Sequence, residues 1–204
     1  MRQPGSVKGL EELGRARLSQ SFFLRDFLYS EIAQIYGLQN IPDKPDLAIE
    51  VGTRLCEELL EPLQEKFGRL AIRSAYRSCE VNRLGNEKKH NASSNEANFA
   101  GHIWDRKDRD GHKGATACVV VTSFVDYYEK TRDWQALAWW IHDYLPYGDL
   151  EFFPKLAALN ITWHESPAKT IYSYANPRGW LTKPGMPNHA GDHSEFYRGK
   201  PLFD

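Results

Sequence analysis

A polar, glycine-punctuated segment between Gly101 and Val121 concentrates side chains that could bind a metal ion or transfer protons. It has the sequence GHIWDRKDRDGHKGATACVVV, with two histidines and three aspartates ahead of a run of small and β-branched residues. That run, residues 115–121, predicts a buried strand. Because a core strand fixes the loop that precedes it, such a loop is a common place for chemistry. The alternative interpretation is a solvated hairpin with two incidental histidines.

Composition limits the class of protein. The chain has 204 residues, 41% of them hydrophobic and 13% aromatic, which is enough for the core of one domain. The formal net charge is -1 and no basic block is present, so nucleic acid is disfavoured as a partner. The three cysteines have no CxxC spacing and do not indicate a disulfide scaffold.

The two ends of the chain are predicted to lie outside the folded core. Residues 1–20 are polar and predict a flexible N-terminal arm, residues 21–176 the domain, and residues 177–204 an extended C-terminal tail. No signal peptide and no membrane-spanning run are visible, so we expect a cytoplasmic product with no membrane insertion. A target in the cell wall would then require delivery by lysis or by a phage particle.

Apolar periodicity predicts helices over residues 22–37, 46–67 and 131–144. The second is the clearest, because Leu47, Val51, Leu55 and further apolar residues recur every four positions through Phe67. Pro45 precedes this helix and Gly68 follows it, which matches the usual preferences at helix ends.

Strands are predicted at residues 70–74, 115–121, 160–165 and 169–174, with the last two paired across Ser166 and Pro167. Residues 79–101 are interpreted as a long loop and residues 150–159 as a short helix. Together these elements predict an α+β fold with a small, mostly antiparallel sheet flanked by helices.

Four segments in order resemble the zinc D-Ala-D-Ala carboxypeptidases of peptidase family M15, which have the Hedgehog-like peptidase fold. They are FFLRDFLYSEIAQIYGLQNIP, LLEPLQEKFG, IRSAYRSCEVN and NITWHE, within residues 22–175. The resemblance implies a Zn²⁺-dependent hydrolase of bacterial or phage type. Its partner would be a peptidoglycan stem peptide or another peptide, cleaved as a D,D-carboxypeptidase or endopeptidase. It does not indicate an oligomeric state.

The resemblance assigns two residues directly. His164 matches the last zinc histidine, and Arg77 matches the signature arginine that would hold a substrate carboxylate. The family also has a histidine followed seven positions later by an aspartate. Here the residue seven after His112 is Val119, and the residue seven after His102 is Arg109, so the standard ligand set is absent.

Three interpretations of the site remain open. In the first, His102, Asp105 and His164 form a rebuilt zinc site, with His112 as a further candidate ligand and Glu165, Asp108 or Asp110 as the acid–base group. In the second, the metal site has decayed and the domain is a catalytically inactive binding or structural component of a phage-like or other assembly. In the third, Cys118 joins His112 and His164.

Other polar residues have structural interpretations. His142, within an apolar helical segment, predicts a hydrogen-bonded structural histidine, whereas His189 and His193 in the tail are expected to be exposed and inert. Arg77 could be a buried arginine paired with an acid rather than a ligand-binding group.

Overall fold

The computed structural model describes residues 3–203 and is built on one six-stranded mixed sheet. The strands are β1 (Leu70–Ser74), β2 (Gly114–Val121), β3 (Asp149–Phe152), β4 (Leu159–His164), β5 (Thr170–Ser173) and β6 (Gly179–Thr182). Their order across the sheet is β1-β2-β4-β3-β5-β6. Only the β3–β5 pair is parallel, so the sheet is mostly antiparallel, as predicted.

Helices surround this sheet and complete an α+β fold. They are α1 (Val7–Gly14), α2 (Glu31–Tyr36), α3 (Pro45–Leu55), α4 (Glu61–Phe67), α5 (Cys79–Glu87), α6 (Asn95–Asn98), α7 (Val125–Thr131) and α8 (Gln135–Tyr144). Short 3₁₀ turns occupy Leu24–Phe27, Thr122–Phe124 and Ser194–Phe196. Within residues 3–203, no helix has both the length and the apolar character needed to cross a membrane.

The predicted helix over residues 46–67 is confirmed as α3 and α4, joined by a π-helical stretch at Cys56–Leu60. Its apolar stripe is fully buried at Val51, Leu55 and Leu59. Burying each such side chain stabilises the fold by about 1.5–3 kcal/mol, so packing holds this helix in place.

The two faces of β2 have different surroundings. Ala115, Ala117 and Val119 belong to the main core, against α3 and α8 among other elements. Thr116 and Cys118 project to the opposite face because side chains alternate along a strand, and both line an open cleft there. The sheet therefore separates a helix-covered core from a cleft.

Several local predictions are wrong. Residues 150–159 do not form a helix, because Asp149–Phe152 is β3, a strand with buried Leu150 and Phe152 alternating with polar residues. The predicted loop over residues 79–101 contains α5 and α6. The strand at Thr170–Ser173 pairs with β3 and β6 rather than with β4.

Helical structure and burial extend into both predicted terminal segments. Helix α1 lies within the segment predicted as an arm, and its Leu13 is fully buried. In the predicted tail, β6 adds an edge strand, and Tyr197 and Phe203 join the main core.

Candidate metal centre

A tight turn prepares Asp108 and His112 to face the same side of the loop before β2. The Asp108 carboxylate accepts hydrogen bonds from the backbone N–H of Asp110 at 2.9 Å and of His112 at 2.8 Å. Gly111 completes the turn with a φ of +86°, in the left-handed region. The imidazole Nδ1 of His112 lies 3.5 Å from Asp108 Oδ2.

His164 reaches the same position from the end of β4. It lies opposite Gly114 in the β2–β4 pairing, and a Cβ at Gly114 would collide with the Ala100 carbonyl oxygen and lie 3.0 Å from His164 Cδ2. The backbone of Ser166 holds the His164 ring, since its N and O atoms both lie within 3.1 Å of Nδ1. Nε2 consequently faces Asp108 Oδ2, 3.2 Å away.

Asp108, His112 and His164 therefore form a candidate metal site, here called the cleft triad. Their ligand atoms all lie within 4.8 Å of one another, which no other His, Cys, Asp or Glu group of three or more does in residues 3–203. Their side chains are partly buried. Two imidazoles and one carboxylate are a ligand set typical of hydrolytic zinc sites, with a fourth position left for water or substrate.

Local electrostatics keep Asp108 ionised. Burial opposes its charge, but the two backbone N–H donors and the neighbouring histidines outweigh that effect and hold its pKa below the usual range. A deprotonated carboxylate is the form that binds a metal ion. The backbone contacts to Asp108 and to His164 Nδ1 supply the outer-shell support that metal ligands require.

The predicted set of His102, Asp105 and His164 is not assembled. The buried Asp105 accepts hydrogen bonds from the backbone N–H of Asp43 and Lys44 and from Arg106, so its carboxylate is turned to the start of α3. Of the loop residues predicted as metal ligands, only His112 lies beside His164. The turn at residues 108–112 brings it there.

His102 is buried and neutral. Its Nδ1 lies 2.7 Å from the Ala75 carbonyl oxygen, which can only accept, so Nδ1 carries the proton. Burial, with a smaller contribution from Arg77, lowers its pKa to about 3. Its free Nε2 is then a hydrogen-bond acceptor.

Two of the predicted acid–base residues lie outside the cleft. The alternative metal site of Cys118, His112 and His164 is not formed either. Glu165 accepts from the Lys113 backbone N–H at 3.0 Å, and the exposed Asp110 pairs with Arg109. Neither lines the cavity that contains Asp108 and His164. Cys118 lies two residue pairs beyond Thr116 along β2, and it does not join the triad.

Arg77 lies in the cleft without an acidic partner. Its backbone N–H donates to the His102 carbonyl oxygen at 2.8 Å, and its Nη1 makes only a long contact of 3.4 Å with Asn82 Oδ1. In the described chain no carboxylate pairs with it. Burial lowers its pKa from the usual value, and the nearby Cys118 and Glu31 offset this only in part. The structural ion pair considered for Arg77 is therefore not formed.

Two adjoining cavities lie along the cleft between the triad and Arg77. The outer cavity, about 360 Å³, is lined by Asp108, His164, Asp149 and Trp180. The inner cavity, about 680 Å³, is lined by residues that include Arg77, Cys118 and Tyr174. His102, Glu151 and Asn160 line both cavities and make them continuous.

Asp149 and Glu151 are cleft carboxylates that the sequence analysis missed, because residues 150–159 were interpreted as a helix and Asp149 was assigned to no element. The strict alternation in Asp149-Leu150-Glu151-Phe152 was the available signal for a strand with one polar face. Asp149 accepts a hydrogen bond from Thr170 Oγ1 at 2.6 Å and shares the outer cavity with His164.

Comparisons with known proteins identify no relative: no family model, no curated protein and no solved structure matches this chain.

Proposed function

We propose that this protein is a zinc-dependent hydrolase of peptides that carry a terminal carboxylate. The observation that carries the proposal is the cleft triad, a two-histidine, one-carboxylate group of which Asp108 and His164 line a continuous cleft. The sequence resemblance to M15 peptidases supports peptidoglycan stem peptides as the substrate class, with D,D-carboxypeptidase or endopeptidase activity.

Each cleft residue has a role in such a reaction. A bound Zn²⁺ supplies Lewis-acid polarisation of the scissile carbonyl and acidification of water. Asp108, His112 and His164 would hold the ion. Asp149 lines the same cavity as Asp108 and His164, and its carboxylate would accept a proton from water.

Arg77 would bind the substrate carboxylate. It is a half-buried cation without a counter-ion, and its forked donors match a carboxylate in geometry. Because the inner cavity adjoins the triad, a peptide held at Arg77 extends towards the metal.

Metal content tests the first part of this proposal. The purified full chain, reconstituted with Zn²⁺ and desalted, is expected to retain close to one equivalent, and His164→Ala to lose it. His90→Ala is the matched control, since His90 is exposed, lies outside the cleft triad and has its ring against Tyr36. Zinc retained equally by all three proteins would contradict the proposed centre.

Activity tests the second part. Release of the terminal residue from stem-peptide fragments is expected in the zinc-loaded protein. Asp149→Asn should lower kcat by about 100-fold, while Arg77→Gln should mainly raise KM. If zinc binds and no peptide bond is cleaved, the hydrolase proposal fails.

A binding module on the same fold is the second candidate. The unpaired Arg77 in an open cavity favours it independently of the triad, because anion binding at Arg77 needs no metal. Peptide binding without zinc retention or hydrolysis would establish this alternative.

A further inference from the structure

A row of side chains crosses the cleft face of the sheet from β1 to β6. Consecutive members are partners in the strand pairing, so their side chains point to the same face. The row comprises Ser74, Cys118, Asn160, Glu151, Tyr172 and Trp180. The members on β1 to β4 line the inner cavity, and Trp180 lines the outer one. From Asn160 to Trp180 the row covers three strand spacings, about 14 Å.

The end of this row at the sheet edge carries three aromatic side chains, Tyr172, Tyr174 and Trp180, here called the aromatic platform. The Tyr172 ring contacts both of the others edge-on, with centroid distances of 5.0 Å to Tyr174 and 5.2 Å to Trp180. Tyr174 also stacks on Phe153. Tyr174 and Trp180 nevertheless keep 41% and 50% of their surfaces accessible. The rings therefore hold one another in position and remain open to a ligand.

The platform also offers hydrogen-bond donors. Within residues 3–203, the hydroxyls of Tyr172 and Tyr174 and the indole N–H of Trp180 make no hydrogen bond. Arg178 Cζ lies 5.5 Å from the Tyr174 ring centroid, and Lys183 Nζ lies 5.0 Å from the Trp180 ring centroid. Neither cation pairs with a carboxylate of the described chain. Both are exposed, so their N–H groups are available beside the rings.

The cleft supplies hydrogen-bond acceptors on the inner side of the platform. Glu151 is the strand partner of Tyr172, and its Oε2 accepts from Asn160 Nδ2 at 2.9 Å. No basic side chain of the described chain pairs with Glu151. An ionised carboxylate only accepts hydrogen bonds. The aromatic surface is therefore bordered by acceptors towards the cleft and by donors at the sheet edge.

This combination of groups favours a saccharide. A sugar ring has apolar C–H faces that pack on aromatic rings, and its hydroxyls both donate and accept hydrogen bonds. A proline-rich peptide also suits an aromatic groove, but proline has no N–H to donate to Glu151. Single-stranded nucleic acid stacks on aromatic rings too, but its phosphates would lie close to Glu151 and Asp149.

We infer that the aromatic platform binds an oligosaccharide, with sugar rings packed on Tyr172 and Trp180 and hydroxyl groups hydrogen-bonded to Glu151. The row of side chains directs this ligand across the sheet, from β6 towards the cleft. The site goes beyond the proposed function, since it includes neither the cleft triad nor Arg77. It requires no metal ion and no peptide.

Calorimetric titration of the full chain with chitotetraose and with cellotetraose tests this inference. The protein is first stripped of metal with EDTA. We expect at least one tetrasaccharide to bind, and Trp180→Ala to weaken its Kd by about tenfold or more because the largest ring of the platform is lost. Trp180→Phe should retain most of the affinity. Tyr144→Ala is the matched control, since Tyr144 is an exposed aromatic residue on α8 outside the platform.

Unfolding midpoints verify that the three variants are folded. No binding of either tetrasaccharide at millimolar concentration, or an equal Kd in the native protein and Trp180→Ala, would overturn the inference. Decaproline is the comparison ligand, and binding of decaproline in place of both sugars would also overturn it. Because the titration needs neither zinc nor turnover, failure of the hydrolase proposal is a separate result.

Discussion

Two histidine groups in this protein use the same residue types in opposite ways. The cleft triad is loosely connected, with Asp108 contacts of 3.2 and 3.5 Å to His164 and His112, and its Asp108 and His164 line a cavity. The second group, the C-terminal histidine cluster, comprises His142, His189, His193 and Asp143 and holds the end of the chain against α8.

In the C-terminal histidine cluster the nitrogens are already satisfied by the protein. His193 Nδ1 lies 2.7 Å from Asp143 Oδ1, Nε2 lies 3.0 Å from the Asn188 carbonyl oxygen, and the ring stacks on Trp139 at 4.1 Å. His142 is likewise bonded at both nitrogens, to Tyr147 and His189. A histidine can serve as a ligand only where the fold leaves a nitrogen available, and His142 and His193 leave none.

The expected structural role of His142 is consistent with these contacts, but His193 is not the exposed residue that the sequence suggested. It is buried, with 5% of its surface accessible. The tail sequence contains little local periodicity, and its packing depends on Trp139 and Asp143, some fifty residues earlier in the chain.

The largest expected effect is a difference in zinc affinity between variants of the cleft triad and variants of the C-terminal histidine cluster. Removing a ligand in His112→Ala should weaken zinc binding by 100-fold or more, whereas His193→Ala should leave the affinity within about twofold. Competition with a chromogenic chelator measures both. A comparable loss of zinc affinity in His193→Ala would contradict the assignment of the metal to the cleft triad.

For the free energy of unfolding, we expect the larger effect in the C-terminal histidine cluster. His193→Ala should lower the free energy of unfolding by about 3 kcal/mol, because it leaves the Asp143 carboxylate buried without its main partner and removes a stacked ring. His112→Ala should cost about 0.5 kcal/mol, since its side chain is 41% exposed. Urea unfolding at pH 7.5 without metal measures the difference, and equal losses would contradict the distinction.

Acid should destabilise the protein through His102, which belongs to neither group. Its pKa is about 3 when folded and about 6.5 when unfolded, so the unfolded state binds the additional proton between these values. Stability from this residue is complete above pH 6.5 and is lost as pH falls towards 3, by up to about 1.4 kcal/mol per pH unit.

Unfolding free energies of the native protein and His102→Asn, compared from pH 7 to pH 4, test this expectation. The pH dependence of the variant should be shallower, while His90→Asn should follow the native curve. Parallel curves for the native protein and His102→Asn would show that His102 does not titrate in this way.

The smallest expected effect concerns Glu165, which the sequence analysis considered as a catalytic acid–base group. Its carboxylate bonds the Lys113 backbone outside the cleft. Glu165→Gln should therefore change zinc affinity and peptide turnover by less than twofold. A large fall in kcat would show that Glu165 takes part in the reaction.

The sequence by itself determined the elements whose patterns are local. The four-residue repeat through Leu55 and Leu59 specified the long helix, and the β-branched run before Val121 specified the central strand. The concentration of His and Asp before that strand also marked the loop that contains Asp108 and His112.

Only the tertiary structure decided which of those candidates meet. Gly114 opposite His164 fixes the register that brings β4 to the loop, and the turn at Asp108 selects His112 over His102 as its neighbour. The same packing turns Asp105 to the start of α3 and brings Glu151 beside Asn160. These contacts join residues far apart in sequence, and strand register and loop path, which set them, leave no periodic signal in the chain.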